Sequence, residues 1–169
     1  MADTGLDRGS SSLRFTSIDH IAIAVRELEP AIAYFSEALG FTLVRRLTIS
    51  GRRTGMRSAE MEKNGIRFVL CQGTEEESQV SRLIANYGPG VAHIALAVDD
   101  VKTTYDELKR RGMQFDTGVI EGPGLKQTFS GRDANSGLSF EFIERGAEQG
   151  FLEENVQKLF EQLEESGAY

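Results

Sequence analysis

His20-Ile21-Ala22-Ile23-Ala24-Val25 and His93-Ile94-Ala95-Leu96-Ala97-Val98 are two copies of one apolar segment, each opening on a histidine. The chain of 169 residues contains no other histidine. A short apolar run rich in β-branched residues reads as a strand, and side chains alternate between the two faces of a strand. His20, Ala22 and Ala24 then share one face, and His93, Ala95 and Ala97 share the equivalent face of the second copy. The bulky residues between them are free to pack on a helix, while the alanines leave space beside each histidine. A duplicated strand that keeps its histidine points to a site built where two half-domains meet.

The repeat extends in both directions. After the first copy, Leu28 to Leu39 has helical spacing and stops at Gly40. Phe41 to Ile49 and Gly55 to Met61 read as strands, and Asn64-Gly65 is a hairpin signal leading into Ile66 to Cys71. After the second copy, Val101 to Arg111 reads as a helix ended by Gly112. Gln114 to Val119, Leu125 to Phe129 and Leu138 to Ile143 read as strands, with turns at Gly122-Pro123-Gly124 and Asn135 to Gly137. Each half thus has the order βαβββ. The fold class is α+β, with two tandem βαβββ modules forming a curved mixed sheet around a metal site, plus a C-terminal amphipathic helix. Residues 1–14 read as a flexible tail and 15–147 as a single catalytic domain. Its modules span 15–73 and 90–146, with a linker helix at 78–87. Residues 148–169 form the helix, striped by Leu152, Val156, Leu159, Phe160 and Leu163.

The last strands of the two modules also correspond, Gly65-Ile66-Arg67-Phe68-Val69 to Gly137-Leu138-Ser139-Phe140-Glu141. Alternation turns Phe140 and Phe142 to one face and Ser139, Glu141 and Ile143 to the other. A carboxylate facing inward in apolar surroundings is costly unless it is paired or metal-bound. A single histidine on an apolar strand is more often a hydrogen-bonded core residue, and Glu141 has a rival reading as the partner of Arg57 or Arg67. His20, His93 and Glu141 coinciding in one duplicated pattern favours ligation. Two imidazoles and one carboxylate leave positions open on an octahedral ion, the donor set of non-haem Fe(II) oxygenases, and Mn(II) or Zn(II) fits the same ligands. Val69 stands where a fourth ligand would be.

Composition narrows the remaining classes. Hydrophobic residues make up 40% and charged residues 27%, as in ordinary globular proteins. The net charge of −7 argues against nucleic acid or an anionic membrane as partner. No apolar run reaches the roughly 18 residues of a membrane span. The N-terminus carries no signal-like apolar stretch and Cys71 is the only cysteine, so a reducing, cytoplasmic location is expected. A small buried hydrophobe is the plain reading of Cys71.

With these residues in place, the chain resembles the vicinal oxygen chelate superfamily, and within it the C-terminal catalytic half of 4-hydroxyphenylpyruvate dioxygenase and hydroxymandelate synthase. The resemblance is carried by Ile18-Asp19-His20, Gly55-Met56-Arg57-Ser58, Ser78-Gln79-Val80 and Gly90-Val91-Ala92-His93. It continues through Leu125-Lys126-Gln127-Thr128-Phe129, Phe140-Glu141-Phe142 and Gly150-Phe151…Asn155…Leu159-Phe160. It implies Fe(II) held by His20, His93 and Glu141, and a small-molecule 2-oxo acid oxidised with O2. It implies catalytic roles for Gln127 and Phe129 beside the reacting centre. It implies substrate contacts at Ser58, Gln79, Cys71, Gln127, Phe151 and Asn155, with residues 148–169 as a lid. A homodimer is an expectation of the resemblance alone. The chain departs from the dioxygenase pattern at Cys71, Ala92, Val69, Ser139 and Val156, and it lacks the non-catalytic N-terminal half. Those changes fall on the substrate pocket and leave the metal set intact, which points to a substrate other than 4-hydroxyphenylpyruvate. Two rivals remain. One is an epimerase of the methylmalonyl-CoA type, working on Co(II) with a fourth ligand at the Val69 position. The other is a non-catalytic small-molecule-binding protein of the same fold.

Overall fold

The computed structural model describes residues 13–122, 124–146, 157, 158, 161, 162, 164 and 165. Eight strands form one sheet in the order β2-β3-β4-β1-β5-β8-β7-β6. Module one contains β1 (Phe15–Ala24), α1 (Leu28–Ala33), β2 (Thr42–Ser50), β3 (Gly55–Lys63) and β4 (Ile66–Gly73). After α2 (Gln79–Tyr87), module two supplies β5 (Gly90–Val98), α3 (Val101–Arg110), β6 (Ile120–Gly122), β7 (Leu125–Phe129) and β8 (Phe140–Arg145). β1 and β5 run antiparallel at the centre. Each is flanked by a parallel partner, β4 on one side and β8 on the other. The sheet is therefore two equivalent halves joined along β1 and β5, curled into a half-barrel.

Local chemistry sets the boundaries. α1 runs on into a π-helical turn, Tyr34–Ala38, and ends at Gly40, whose φ of 73° is the left-handed conformation that closes helices. Asn64 and Gly65 both take positive φ, 52° and 79°, as a tight hairpin turn requires. Ser78 caps α2 by accepting a hydrogen bond from the Ser81 N–H at 3.2 Å, and Asp100 caps α3 through the Thr103 N–H at 2.9 Å.

The convex face of each half carries its own core. Ile23 and Val25 pack with Leu28, Ile32, Met61 and Leu70 in module one, and Leu96 and Val98 pack with Val101, Leu108 and Phe142 in module two. On the concave face, the alanines are only partly left open. Ala22 and Ala24 lie against Leu83, Val80 and Ile84 of α2, and Ala95 packs on Leu125 and Ile143. Small side chains here let α2 and the far strands approach.

One element differs from expectation. Gln114 to Val119 does not form a strand; Phe115 makes a single bridge to Ser130, and β6 begins only at Ile120. The Thr117 hydroxyl accepts the Phe129 N–H at 3.0 Å, taking a bond the ladder would otherwise make. Phe115 is drawn instead onto Tyr105, ring centroids 4.6 Å apart. Of the expected C-terminal helix, residues 157, 158, 161, 162, 164 and 165 are described and helical; Phe151 and Asn155 lie outside the described residues. No helix among the described residues is long and apolar enough to cross a membrane.

Candidate metal centre

The register of the central strands brings the repeated histidines together. His20 lies opposite Ala95, and His93 lies opposite Ala22. Glu141 stands beside Ala95 on the neighbouring strand, with Phe129 beyond it. His20 Nε2 and His93 Nε2 each lie 3.2 Å from Glu141 Oε2, and the two nitrogens are 3.4 Å apart. Among the described residues these three side chains form a group able to hold a metal ion. Three donors bonded at ~2.1 Å to one ion are separated by ~3.0–3.4 Å in octahedral or tetrahedral geometry, so the spacing suits a shared cation.

Burial makes the arrangement demanding. Glu141 is 1% exposed and His20 2%. Glu141 Oε1 is buried with no hydrogen-bond partner, so half of a buried carboxylate lacks a donor. Burial works against its ionisation, yet His20 and then His93 hold the Glu141 carboxyl down at about 2. Burial likewise opposes the charge on His20, but Glu141 and the Asp19 hydrogen bond raise it to about 9. His93 is held below its ordinary value by burial and by the neighbouring His20 charge. The same carboxylate oxygen thus faces both rings, and the Asp19 hydrogen bond on the far nitrogen of His20 distinguishes that ring from His93. A cation in place of the His20 proton would satisfy the same carboxylate and both rings, so the donor set fits a metal.

The three side chains sit in a cavity of about 450 Å³, part of it open to solvent. Four of the other sequence candidates line it: Ser58, Cys71, Gln127 and Phe129. Phe129 meets the His93 ring edge-on at 5.2 Å. Gln127 is 2% exposed and Ser58 is buried across from Cys71 on the β3–β4 ladder. Burial pushes the Cys71 thiol up to about 12, so at neutral pH it is a thiol and not a nucleophilic thiolate. Gln79 is buried in the first turn of α2 and is not among the residues lining the cavity. Val69, Ala22, Leu47 and Met56 complete the wall. The rival assignment of Glu141 to an arginine does not hold: Arg67 pairs with Glu60 at 2.9 Å, and Arg57 bonds Gln72 at 3.0 Å.

Leu47 and Met56 were invisible as site residues because nothing distinguishes them from core residues of an alternating strand. Asp19 is a more consequential omission. Its Oδ1 accepts a hydrogen bond from His20 Nδ1 at 2.8 Å. Strict alternation places Asp19 on the opposite face from His20. A register shift between Ile18 and His20 leaves Asp19 without a partner on β5 and turns it toward its neighbour.

Residues 17–142 match the sequence profile described as the Glyoxalase/Bleomycin resistance protein/Dioxygenase superfamily. The chain belongs to that superfamily. Among relatives of this superfamily member, 4-hydroxyphenylpyruvate dioxygenase of Pseudomonas aeruginosa is 28% identical, over 95% of this chain and 55% of its own length. A probable chloroplastic lactoylglutathione lyase of Arabidopsis thaliana is 27% identical over 75% of this chain and 35% of its own. The chain spans about half the length of the dioxygenase relatives it matches. In structure it resembles a variant of 4-hydroxymandelate synthase from Streptomyces coelicolor, with a TM-score of 0.80 at 21% identity, covering 90% of this chain and 55% of that one. It also resembles a variant of methylmalonyl-CoA epimerase from Streptomyces coelicolor, with a TM-score of 0.67 at 25% identity, covering 79% of this chain and 100% of that one.

Proposed function

We propose that this superfamily member is a non-haem Fe(II)-dependent dioxygenase that oxidises a 2-oxo acid, or a related bidentate small molecule, with O2. The observation that carries this reading is the convergence of His20, His93 and Glu141, within 3.2–3.4 Å of one another, in a cavity whose other wall residues are mostly apolar. The relatives named 4-hydroxyphenylpyruvate dioxygenase support it. When bound, Fe(II) supplies a Lewis-acidic, redox-active centre with positions open to a chelating substrate and to O2. Mn(II), Co(II) and Zn(II) are accepted by the same donors.

The chain's own groups divide the remaining work. Glu141 contributes the one negative charge. His20 must release its proton before Nε2 can donate to a cation, so metal uptake expels a proton. Gln127 and Ser58 offer hydrogen bonds from opposite walls of the cavity and orient the polar end of a substrate. Phe129 fixes the plane of the His93 ring. Leu47, Met56 and Val69 exclude water from the reacting centre.

The test is anaerobic reconstitution with Fe(II), followed by O2 electrode and CO2 measurements on a panel of 2-oxo acids. Matched O2 uptake and CO2 release with one of them is expected; neither with any of them overturns the reading. One observation favours a second reading: the solved epimerase is covered over its whole length. Deuterium entering the α-carbon of an acyl-CoA in the absence of O2 would establish that alternative. Val69, apolar at the position equivalent to Glu141, offers such a site no fourth donor.

A further inference from the structure

The two histidines are equivalent in the repeat but not in their support. Asp19 precedes His20, and Ala92 precedes His93. Each of these two residues sits at a register shift between β1 and β5, so both halves have the kink while only one uses it to present a carboxylate. Asp19 Oδ1 bonds His20 Nδ1 at 2.8 Å. Arg145 grips the same carboxylate at both oxygens, Nε donating to Oδ2 at 2.6 Å and Nη2 to Oδ1 at 2.7 Å. This is the two-point Arg–carboxylate geometry that fixes orientation as well as charge. Arg67 Nη1 stands 4.0 Å from Oδ1 as a second cation. The described residues bring no carboxylate to the Nδ1 of His93, whose ring is steadied by the edge of Phe129 instead.

Arg145 lies four residues after Glu141 on β8, and alternation puts both on the same face. One strand thus supplies the carboxylate donor directly and, through Asp19, the orientation of the imidazole across from it. Tethering strands does not explain the contact. β1 and β8 are already joined through their shared neighbour β5, and an Arg145–Asp19 pair has no need of the His20 ring.

We propose that Asp19, clamped by Arg145, is a positioning residue that holds the His20 proton on Nδ1 and aims the Nε2 lone pair at the point shared with Glu141 and His93, making His20 the anchoring ligand and His93 the adaptable one. This rests on the metal reading of the site. Carboxylates behind ligating imidazoles typically change metal affinity by about 10–100-fold.

The experiment is titration of the metal-free full chain with Co(II), followed by visible absorption and calorimetry. Asp19→Asn keeps an acceptor but loses the charge, and about tenfold weaker binding is expected. Asp19→Ala loses both and is expected to weaken binding about 100-fold, while Arg145→Gln falls between wild type and Asp19→Ala. A purely structural role would lower thermal stability without grading the affinity of the folded fraction. Should the variants fail to fold, the wild type decides: with 15N-labelled histidine and Zn(II) bound, the Nδ1–H of His20 exchanges slowly with water and that of His93 rapidly. Equal exchange at the two rings, or Co(II) affinity in Asp19→Ala within twofold of wild type, overturns the proposal and leaves the metal reading standing. Failure of the wild type to bind Co(II) overturns both.

Discussion

Val69 and Glu141 occupy equivalent positions in the two modules, Val69 beside Ala22 and Glu141 beside Ala95. Both line the cavity, one as an apolar side chain and one as a carboxylate. Val69→Asp places a second carboxylate against the same cavity at nearly the same volume. Metal content, measured by mass spectrometry, is expected to be retained, while O2 uptake falls by about 100-fold, because a fourth protein donor leaves an octahedral ion two positions, too few for a chelating substrate and O2 together. Full activity in that variant would show that Val69 does not face the open side. The coupled charges also predict how the chelator-treated protein responds to pH. His20 is raised from its ordinary 6.5 to about 9, so its stabilising share is complete below 6.5 and is lost as pH rises toward 9. Glu141 is lowered from 4.5 to about 2, so its share is complete above 4.5 and is lost as pH falls toward 2. Urea midpoints should therefore be highest between about pH 4.5 and 6.5 for this pair, with His20→Ala flattening the alkaline limb. The grouping of His20, His93 and Glu141 was legible because alternation and duplication both bear on it. Asp19 was not, because a register shift breaks alternation at that residue and leaves no mark in composition.

At the scale of elements, the legible features are those with local causes. Asn64-Gly65 names its own turn, Gly40 ends its helix, and Ser78 begins α2 whatever the rest of the chain does. Gln114 to Val119 misled because its apolar residues satisfy Tyr105 and the α3 core, a tertiary partner that periodicity does not reveal. The placement of α2 over Ala22 and Ala24 was equally hidden, since empty space beside an alanine and a helix laid against it look the same in sequence. That contact makes α2 part of the support of the cavity wall. Ser78 is fully buried, and its hydroxyl fills the room above Gly73, where a Cβ would approach it to 2.0 Å. Ser78→Ala removes the cap from a buried helix start and is expected to cost about 1 kcal/mol, read as a lower urea midpoint with an unchanged slope. A midpoint equal to wild type would show that water replaces the cap.

Across the whole molecule, the half-barrel leaves two edge strands, β2 and β6, and edges are normally covered. The described residues of the C-terminal helix reach both. Gln157 donates to the Ser50 carbonyl at 2.6 Å, and Lys158 Nζ lies 3.4 Å from the Glu121 carbonyl. Glu164 makes the most extensive contact. Its carboxylate accepts the N–H groups of Arg52, Arg53 and Thr54 at 2.8–3.3 Å and the Thr54 hydroxyl at 2.8 Å. Gly51 permits this approach, since a Cβ there would stand 2.7 Å from the carboxylate. The strands contacted by these described residues adjoin the cavity wall, with Leu47 on β2 and Met56 on β3 at one side and Gln127 next to β6 at the other. Burial opposes ionisation of Glu164, but Thr54 and the backbone N–H groups lower its carboxyl below the ordinary 4.5. The latch is therefore complete above pH 4.5 and weakens as pH falls below it. Glu164→Gln is expected to raise amide exchange at residues 52–54 and in the C-terminal helix while leaving β1 and β5 unchanged, because those central strands are covered independently of the helix. Unchanged exchange at residues 52–54 would show that the helix is anchored elsewhere, and faster exchange throughout β1 and β5 would show that it stabilises the whole sheet and not the flanks of the cavity.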